Sequence, residues 1–232
     1  MHRVRVRVAE DALDANATIA AANRADFERA GVTVVNLMSA PGSGKTTILE
    51  RVLADGSTIG RGVRVGVLEG DVQGSLDADR LADLHVPVAQ LDTGHGFGGE
   101  CHLDANMVRS ALPLLDLEAI DLLIVENVGN LVCPAEFRIG EDARVMVSSV
   151  AEGEDKPLKY PLMFRTCELV VVNKLDLLPH VDFDLDKFLY HLDAVHPGVA
   201  HVEVSARTGE GVDVLRSWLA ALPDRAGRSA LG

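Results

Sequence analysis

The sequence predicts an α/β fold in which a mostly parallel sheet is flanked by helices. Short runs of Val, Leu and Ile recur along the chain and are apolar on both faces, as strands covered on two sides must be. Segments with helical spacing of apolar residues separate most of these runs. No linker rich in Pro or Ser, repeat or low-complexity segment divides the chain, so we expect one α/β domain.

The elements follow in order from this pattern. A helix is expected first, over residues 10–30, where Leu13, Ile19 and Phe27 are spaced along a segment rich in Ala, Asp and Glu. Apolar runs then predict strands over residues 32–38, 63–68, 86–91, 122–125, 145–150, 169–172 and 202–204. The intervening patterns predict helices over residues 46–53, 103–115, 184–192 and 211–222.

These elements suggest three parts of unequal size. Residues 1–31 form an N-terminal arm and a helix that we expect to pack on the main domain. Residues 32–222 form that domain, and residues 223–232 form a C-terminal tail.

The charge balance restricts the function. The chain of 232 residues has 22 Lys and Arg against 35 Asp and Glu, a net charge of −13. An acidic surface repels nucleic-acid phosphates, so we expect no nucleic-acid partner, and any phosphate site must be local. With 47% hydrophobic and 25% charged residues, the chain is in the ordinary range for a globular protein.

Cysteine usage and the absence of apolar spans indicate the compartment. Three cysteines at wide spacing argue against a disulfide framework and favour a reducing environment. Residues 1–8 alternate basic and apolar side chains, unlike a signal peptide. No apolar run approaches the roughly 18 to 20 residues that span a bilayer, so we expect a cytoplasmic protein without a membrane partner.

A phosphate-binding loop is predicted between the first strand and its helix. The segment matches the pattern G-x-x-x-x-G-K-[ST], except that Ser39 replaces the first glycine, and it reads Ser39-Ala40-Pro41-Gly42-Ser43-Gly44-Lys45-Thr46. Gly42 and Gly44 let backbone N–H groups surround an anion at the N-terminus of the helix. Ser39 lies at the base of the loop, and its side chain is not expected to cradle the phosphates.

The loop also carries the expected ligands of the nucleotide. Lys45 should reach the β- and γ-phosphates, and the Thr46 hydroxyl should ligate Mg²⁺. We include Ser43 and Thr47 among the expected nucleotide-binding residues.

A second motif selects the base. Asn173-Lys174-Leu175-Asp176 ends a predicted strand, and Asp176 can accept hydrogen bonds from the ring N–H and the exocyclic amine of guanine. Adenine lacks that pair of donors, so such a site rejects it by roughly 10⁴-fold. Asn173 would bond the other edge of the base, and Lys174 would lie over the ring. A backbone N–H of the segment at Ser205 and Ala206 could meet the guanine O6, so we expect GTP and GDP as ligands.

Carboxylates at the ends of two further strands favour hydrolysis. Glu126 ends a strand where Mg²⁺ needs a direct or water-mediated ligand, and Gly129 can bring its N–H to the γ-phosphate. Asp71 lies on the same sheet edge and is a candidate Mg²⁺ partner or base. A glutamine that positions the attacking water has no counterpart, because Asn130 follows Gly129, so we expect a slow GTPase.

Two cysteines lie where a transition-metal site is plausible. Cys101-His102 follows a Gly-rich stretch, and Cys133 lies four residues beyond Gly129, in the loop that the γ-phosphate would pull. Thiolate and imidazole bind Ni²⁺ and Zn²⁺, and three protein ligands leave an open position. The alternative is an ordinary loop cysteine beside an exposed histidine. Cys167 is expected in the core.

The position of Cys133 strengthens the metal interpretation. A ligand tied to a nucleotide-sensing loop would let GTP binding change the metal affinity. His95, in the Gly-rich stretch, is a further candidate ligand.

Five segments together resemble the hydrogenase nickel-incorporation GTPases of the HypB family, which belong to the dimerising, SIMIBI-type class of P-loop GTPases. The segments are residues 36–47, 101–105, 126–134, 152–161 and 172–179. The resemblance covers nearly all of residues 32–222, and the last four segments are specific to this family.

The resemblance implies a GTP-dependent homodimer that helps to deliver nickel to the large subunit of [NiFe]-hydrogenase. It further implies work with a small zinc- and nickel-binding partner of the HypA type. In the family, the residues that match Cys101, His102 and Cys133 form a metal site at the dimer interface. The stretch that matches Lys156 lies near that interface and the nucleotide.

Two departures from the family pattern limit what carries over. Many members have an N-terminal Cys-x-x-Cys-Gly-Cys motif or a His-rich tract, whereas residues 1–31 contain no cysteine and the eight histidines form no run. A high-affinity N-terminal nickel site is therefore not expected. The Gly-rich stretch over residues 95–100 is also longer than expected.

Four alternatives remain open. A urease-accessory GTPase uses a Cys-Pro-His motif, but Ala135 follows Cys133-Pro134 here. A GTPase chaperone of a cobalamin enzyme would not need Cys101, His102 and Cys133. A small-molecule P-loop kinase would not need the guanine motif, and a pure metal-binding protein would not need an intact P-loop.

Overall fold

The computed structural model describes residues 8–71, 80–81, 84–92 and 102–224. Within them, the chain forms one eight-stranded sheet. The strands are β1 Thr33–Ser39, β2 Thr58–Ile59, β3 Val63–Asp71, β4 Val88–Asp92, β5 Leu122–Glu126, β6 Ala143–Ser149, β7 Leu169–Asn173 and β8 Ala200–Glu203.

Seven of these strands are parallel, in the order β4-β3-β5-β1-β6-β7-β8. The short strand β2 pairs antiparallel with residues 63–64 at the beginning of β3. Strand β4 pairs with the later part of β3, residues 67–71. This arrangement confirms the predicted fold class. Because all seven strands run the same way, the loops that follow β1, β3, β5 and β7 lie at one edge of the sheet.

The helices cover both faces of the sheet. They are α1 Val8–Ala30, α2 Lys45–Val52, α3 Ala105–Ala111, α4 Cys133–Glu136, α5 Lys156–Lys159, α6 Pro161–Arg165, α7 Leu185–Val195 and α8 Val212–Ala220. Short 3₁₀ turns occupy Leu112–Leu114, Leu117–Ala119 and Leu175–His180. None of the helices in the described ranges is long and apolar enough to cross a bilayer.

The core is divided by the sheet because side chains alternate along each strand. On one face, Val35, Leu37 and Val145 pack with Ile48 of α2 and Leu215 of α8. On the other face, one cluster gathers around Phe27 of α1 and another around Phe164 of α6 and Phe188 of α7. Both faces of the parallel strands are therefore buried, as the continuous apolar runs predict.

Helix α1 is fixed to the domain by two buried asparagines. The Asn16 amide donates to the carbonyl of Arg138 (2.7 Å), and its oxygen accepts the N–H of Ala105 (2.9 Å). The Asn23 amide donates to the carbonyls of Ala105 (2.8 Å) and Ile139 (3.1 Å). Residues 11–30 therefore pack against the same body as the rest of the chain.

The structure differs from the sequence prediction mainly at polar and short elements. Strand β3 continues to Asp71 instead of ending at residue 68, because Glu69 and Gly70 still pair with β4 and β5. The two-residue strand β2 and the helices of four or five residues, α4 to α6, are too short to show a periodicity.

Candidate functional site

A cavity of about 550 Å³ opens at the carboxyl edge of the sheet. Loops from five segments of the chain contribute to its wall, which is lined by Pro41, Gly42, Gly44, Lys45, Thr46, Thr47, Glu69, Gly70, Arg80, Glu126, Asn127, Val128, Gly129 and Lys174. The structure therefore gathers the predicted phosphate loop, the β5 end and the Asn-Lys-x-Asp motif around one space.

The phosphate loop requires glycine for two separate reasons. Gly42 and Gly44 have φ values of +73° and +98°, the left-handed region in which other residues are strained. In addition, a Cβ atom on Gly44 would lie 2.6 Å from Nδ2 of Asn173. Gly44 directly precedes α2, so the backbone N–H groups at the start of that helix face the cavity edge.

Lys45 is held in place by the residue that departs from the P-loop pattern. Its Nζ donates a hydrogen bond to the Ser39 hydroxyl (2.8 Å), and the lysine is only 9% exposed. Ser39 thus positions the cation at the base of the loop, a role that the sequence did not suggest.

Thr46 and the end of β5 meet on the opposite wall. The Thr46 hydroxyl donates to Oε1 of Glu126 (2.8 Å). Glu69, buried at 3% exposure, pairs in register with Glu126 on the neighbouring strand β3. Two carboxylates and a hydroxyl therefore line the cavity together, and hard oxygen donors of this kind suit Mg²⁺.

Gly129 lies against the phosphate loop itself. A Cβ atom there would come within 2.8 Å of Cα of Pro41 and 3.0 Å of its nitrogen. Only a glycine allows the segment after β5 to approach the loop so closely, which fits a backbone N–H placed near a γ-phosphate.

Asp71 is described in its backbone alone. Asp71 ends β3 at the expected edge, but its side chain lies outside the described part of the structure. The proposed role of Asp71 as a Mg²⁺ partner or base therefore stays a prediction.

Thr47, at the start of α2, accepts a long hydrogen bond from the Arg80 guanidinium (3.4 Å).

The base-selecting motif forms a tight turn beside the loop. Lys174 has a φ of +66°, unusual for a residue with a side chain, and its Nζ donates to the carbonyl of Gly42 (2.7 Å). Oδ1 of Asp176 accepts a hydrogen bond from the Ser205 hydroxyl (2.6 Å), and its Oδ2 lies 3.9 Å from the Arg207 guanidinium. The structure thus brings together the two segments that the sequence assigns to guanine.

Asn173 has a structural task beside the one predicted. Its amide donates to the carbonyl of Ser43 (2.8 Å), and its oxygen accepts the N–H of Ala206 (3.1 Å). Asn173 therefore braces the phosphate loop against the 205–206 segment, and the second hydrogen of its amide leaves the predicted bond to the base a prediction. Within that segment, the N–H of Ala206 is directed to Asn173.

Glu152, the first residue of the family-specific segment 152–161, has a contact in the site that the sequence did not reveal. It follows β6, and its Oε1 accepts a hydrogen bond from the Ser43 hydroxyl (2.6 Å). Burial raises the pKa of the Glu152 carboxyl, and the Ser43 hydrogen bond opposes that rise. Its partner Ser43 lies 109 positions away in the sequence, so no local pattern predicts the contact.

The raised pKa of Glu152 predicts that Glu152→Gln stabilises the folded protein in a pH-dependent way. In the folded state the protonated form is favoured, so stability falls as pH rises from the ordinary carboxyl pKa through the raised one. Glutamine still accepts the Ser43 hydroxyl without a buried charge. At pH 8 we therefore expect the Tm of Glu152→Gln to be higher than that of the parent, and near pH 4 we expect no difference.

A neighbouring carboxylate gives the matched control. The Lys187 ammonium lowers the pKa of Glu154 through a hydrogen bond, so Glu154→Gln should not raise the Tm at either pH. Thermal melts of both variants across the pH range make the comparison. A Glu152→Gln protein that is no more stable than the parent at pH 8 would contradict this reasoning.

The candidate metal ligands are described in part. His102 is buried at 8% exposure, and its ring centroid lies 4.4 Å from that of Phe137. Cys133 begins α4 and is partly exposed. Cys101 and His95 lie outside the described residues, and among those that are described no three His, Cys, Asp or Glu side chains form a metal-binding group.

Cys167 packs in the core, as expected. It is 1% exposed, and its Sγ donates to the carbonyl of Met163 (2.9 Å). Burial raises the pKa of the thiol, so it stays protonated at neutral pH and does not supply a thiolate ligand.

Comparison with known proteins identifies close relatives. Residues 33–203 match the CobW/HypB/UreG nucleotide-binding domain. The hydrogenase maturation factor HypB of Azotobacter vinelandii is 47% identical over 214 residues, which cover 92% of this chain and 68% of that protein.

Solved structures agree with the sequence relatives. HypB from Helicobacter pylori, crystallised in complex with nickel, has a TM-score of 0.83 and 34% identity and matches over 91% of this chain and 96% of that one. HypB from Archaeoglobus fulgidus has a TM-score of 0.81 and 35% identity over 90% of this chain and 99% of that one.

Proposed function

We propose, since the chain belongs to the HypB group of the CobW/HypB/UreG nucleotide-binding family, that it is a GTP-hydrolysing metallochaperone for nickel. Its task would be to assist nickel insertion during hydrogenase maturation. One observation carries the proposal: the segment after β5 runs from the cavity wall at Glu126 and Gly129 directly to Cys133. Nucleotide and metal chemistry thus share one short stretch of chain.

The phosphate loop would bind and orient the GTP phosphates. Backbone N–H groups around Gly42 and Gly44 supply donors, and Lys45, already directed by Ser39, supplies the cation. Thr46 and Glu126 would hold Mg²⁺, which supplies positive charge at the β- and γ-phosphates. Asp176 would accept hydrogen bonds from the two donors on the guanine edge. Lys174 would lie over the base ring.

Hydrolysis requires a group that activates water. No glutamine follows Gly129, so Asp71 is the proposed base, and Gly129 would donate its N–H to the γ-phosphate. We expect turnover to be slow for this reason. A rate that is unaffected by Asp71→Ala would remove the assignment.

Nickel would be the cargo, held by Cys101, His102 and Cys133, with zinc as a competing ion. A thiolate and imidazole donor set suits both metals. Three ligands per chain suffice if two protomers share the site.

Exposed apolar side chains near Cys133 support a partner surface. Val132, next to Cys133, is 59% exposed, and Leu158 and Leu162 on α5 and α6 are 50% and 47% exposed.

The remaining partners follow from the family. We propose a GTP-favoured homodimer in the cytoplasm, with Lys156 near its interface. The dimer would receive nickel from a HypA-type protein and pass it toward the hydrogenase large subunit.

A comparison of Lys45→Ala with the parent tests the nucleotide part of the proposal. With Mg²⁺ present, we expect the parent to release phosphate from GTP slowly and to leave ATP unchanged. Lys45→Ala should bind GTP about 10–100-fold more weakly, because a charge-assisted hydrogen bond is worth about 1.5–3 kcal/mol. Fluorescent-nucleotide titration measures the affinity for GTP, and a phosphate-release assay measures the rates of GTP and ATP hydrolysis.

Lys159→Ala is the control for that substitution, since Lys159 is exposed and paired with Asp155. It should bind GTP as the parent does. Equal hydrolysis of ATP and GTP by the parent, or an unchanged GTP affinity in Lys45→Ala, would contradict the proposed GTPase.

A further inference from the structure

We infer that the Asn127 side chain links the nucleotide cavity to the segment that carries His102, a role that rests on the proposed function. Asn127 lies in the wall of the cavity, but the two hydrogen bonds of its side chain go to Leu103 and Asn36. It is a positioning residue, through which the nucleotide state would reach the metal ligands.

Three hydrogen bonds place Asn127 at a junction. The residue is fully buried, and its Oδ1 accepts the backbone N–H of Leu103 (2.9 Å), the residue after His102. Its Nδ2 donates to Oδ1 of Asn36 on β1 (3.1 Å), and its own N–H donates to the carbonyl of Leu37 (3.0 Å). One side chain thus joins β1, β5 and the His102 segment.

The neighbours of Asn127 in sequence face the nucleotide side. Glu126 accepts the Thr46 hydroxyl, and Gly129 rests against Pro41 of the phosphate loop. The Thr46 oxygen can ligate Mg²⁺ through a lone pair while its hydrogen still bonds to Glu126, so binding of the ion would act directly on that carboxylate. A change at Glu126 or Gly129 therefore acts on Asn127 through one or two peptide units.

The burial of Asn127 makes its hydrogen bond to Leu103 hard to break without consequence. A rotated amide would leave the Leu103 N–H buried and unpaired, which is costly, so the two segments should move together. The His102 ring also contacts Phe137, which follows α4 and Cys133. Movement of the Leu103 segment would thus change the relative placement of His102 and Cys133.

Asn16 provides a matched comparison on a different element. Its Oδ1 accepts the N–H of Ala105 at the same distance, 2.9 Å, and it is also buried, but it stands on α1. Asn16 is not among the residues that line the cavity. Both asparagines hold the same short segment, whereas Asn127 is the one of the two that adjoins the nucleotide-sensing turn.

The first test measures nickel affinity with GDP and with a non-hydrolysable GTP analogue in three proteins. We expect the parent to bind nickel 5–150-fold more tightly with the analogue, the usual range of coupling between sites. With each nucleotide at saturating concentration, Asn127→Ala should bind nickel with a ratio near one. Asn16→Ala should weaken nickel binding in both states and keep the parent ratio.

The second test uses the parent alone, in case Asn127→Ala does not fold. Hydrogen exchange at the Leu103 amide should change at least several-fold between the two nucleotide states, while the Ala105 amide, bonded to Asn16, should change less. Equal responses at the two amides would overturn the inference.

The outcomes separate the inference from the proposed function. A parent that couples nickel to nucleotide, together with an Asn127→Ala protein that couples equally, overturns the role of Asn127 alone. A parent whose nickel affinity ignores the nucleotide overturns both.

Discussion

Asp176→Asn is expected to lower the affinity for GTP by about 10²–10⁴-fold and to create affinity for xanthosine triphosphate. By our proposal the carboxylate would accept two hydrogen bonds from guanine, each worth about 1.5–3 kcal/mol when one partner is charged. A carboxamide offers one acceptor and one donor. That pair matches the ring N–H and the 2-carbonyl of xanthine and opposes the amine of guanine.

The substitution should leave the fold intact. The asparagine oxygen can still accept the Ser205 hydroxyl that bonds to Oδ1 of Asp176 in the parent. Asp182→Asn is the control, because Asp182 is exposed and lies outside the cavity wall. Competition titrations with GTP and xanthosine triphosphate measure the change in nucleotide specificity. A GTP affinity within about threefold of the parent, with no binding of the xanthine nucleotide, would show that Asp176 does not read the base.

Cys133→Ala is expected to lower nickel affinity by at least about 100-fold. Loss of residues that only support metal ligands already costs 10–100-fold, and removal of a ligand should cost more. Cys167→Ala supplies the control with the same chemistry, because that thiol is 1% exposed and burial raises its pKa. It should bind nickel as the parent does.

Competition against a coloured chelator measures both cysteine variants at neutral pH. Thermal melts show whether each variant is folded. If Cys133→Ala keeps the parent affinity, or if Cys167→Ala loses it, the assigned ligand set is incorrect.

The fold could be predicted because its signals are local. Parallel strands that are buried on both faces appear as continuous apolar runs, as in residues 145–150 and 169–172. The phosphate loop is equally local, since the positive φ of Gly42 and Gly44 admits few other residues. The end of β3 was missed because Glu69 and Asp71 are polar and pair only through the sheet.

The parts of the site that sequence could not predict depend on distant contacts. The motif predicts Asn173 as a base ligand, but it does not show that the side chain also bonds to Ser43 and Ala206, 130 and 33 positions away. Glu152 and Asn127 lie in two of the segments that resemble the family, but no local spacing predicts what their side chains contact. Their partners, Ser43 and Leu103, become neighbours only when the strands assemble.

We propose that nucleotide and nickel binding are coupled through the segment that runs from Glu126 to Cys133. The most direct measurement is the nickel dissociation constant of the parent protein with GDP and with a non-hydrolysable GTP analogue, with the oligomeric state determined on the same samples. We predict a dimer with the analogue and a nickel affinity 5–150-fold higher than with GDP. An affinity that is the same in both nucleotide states would contradict the coupling.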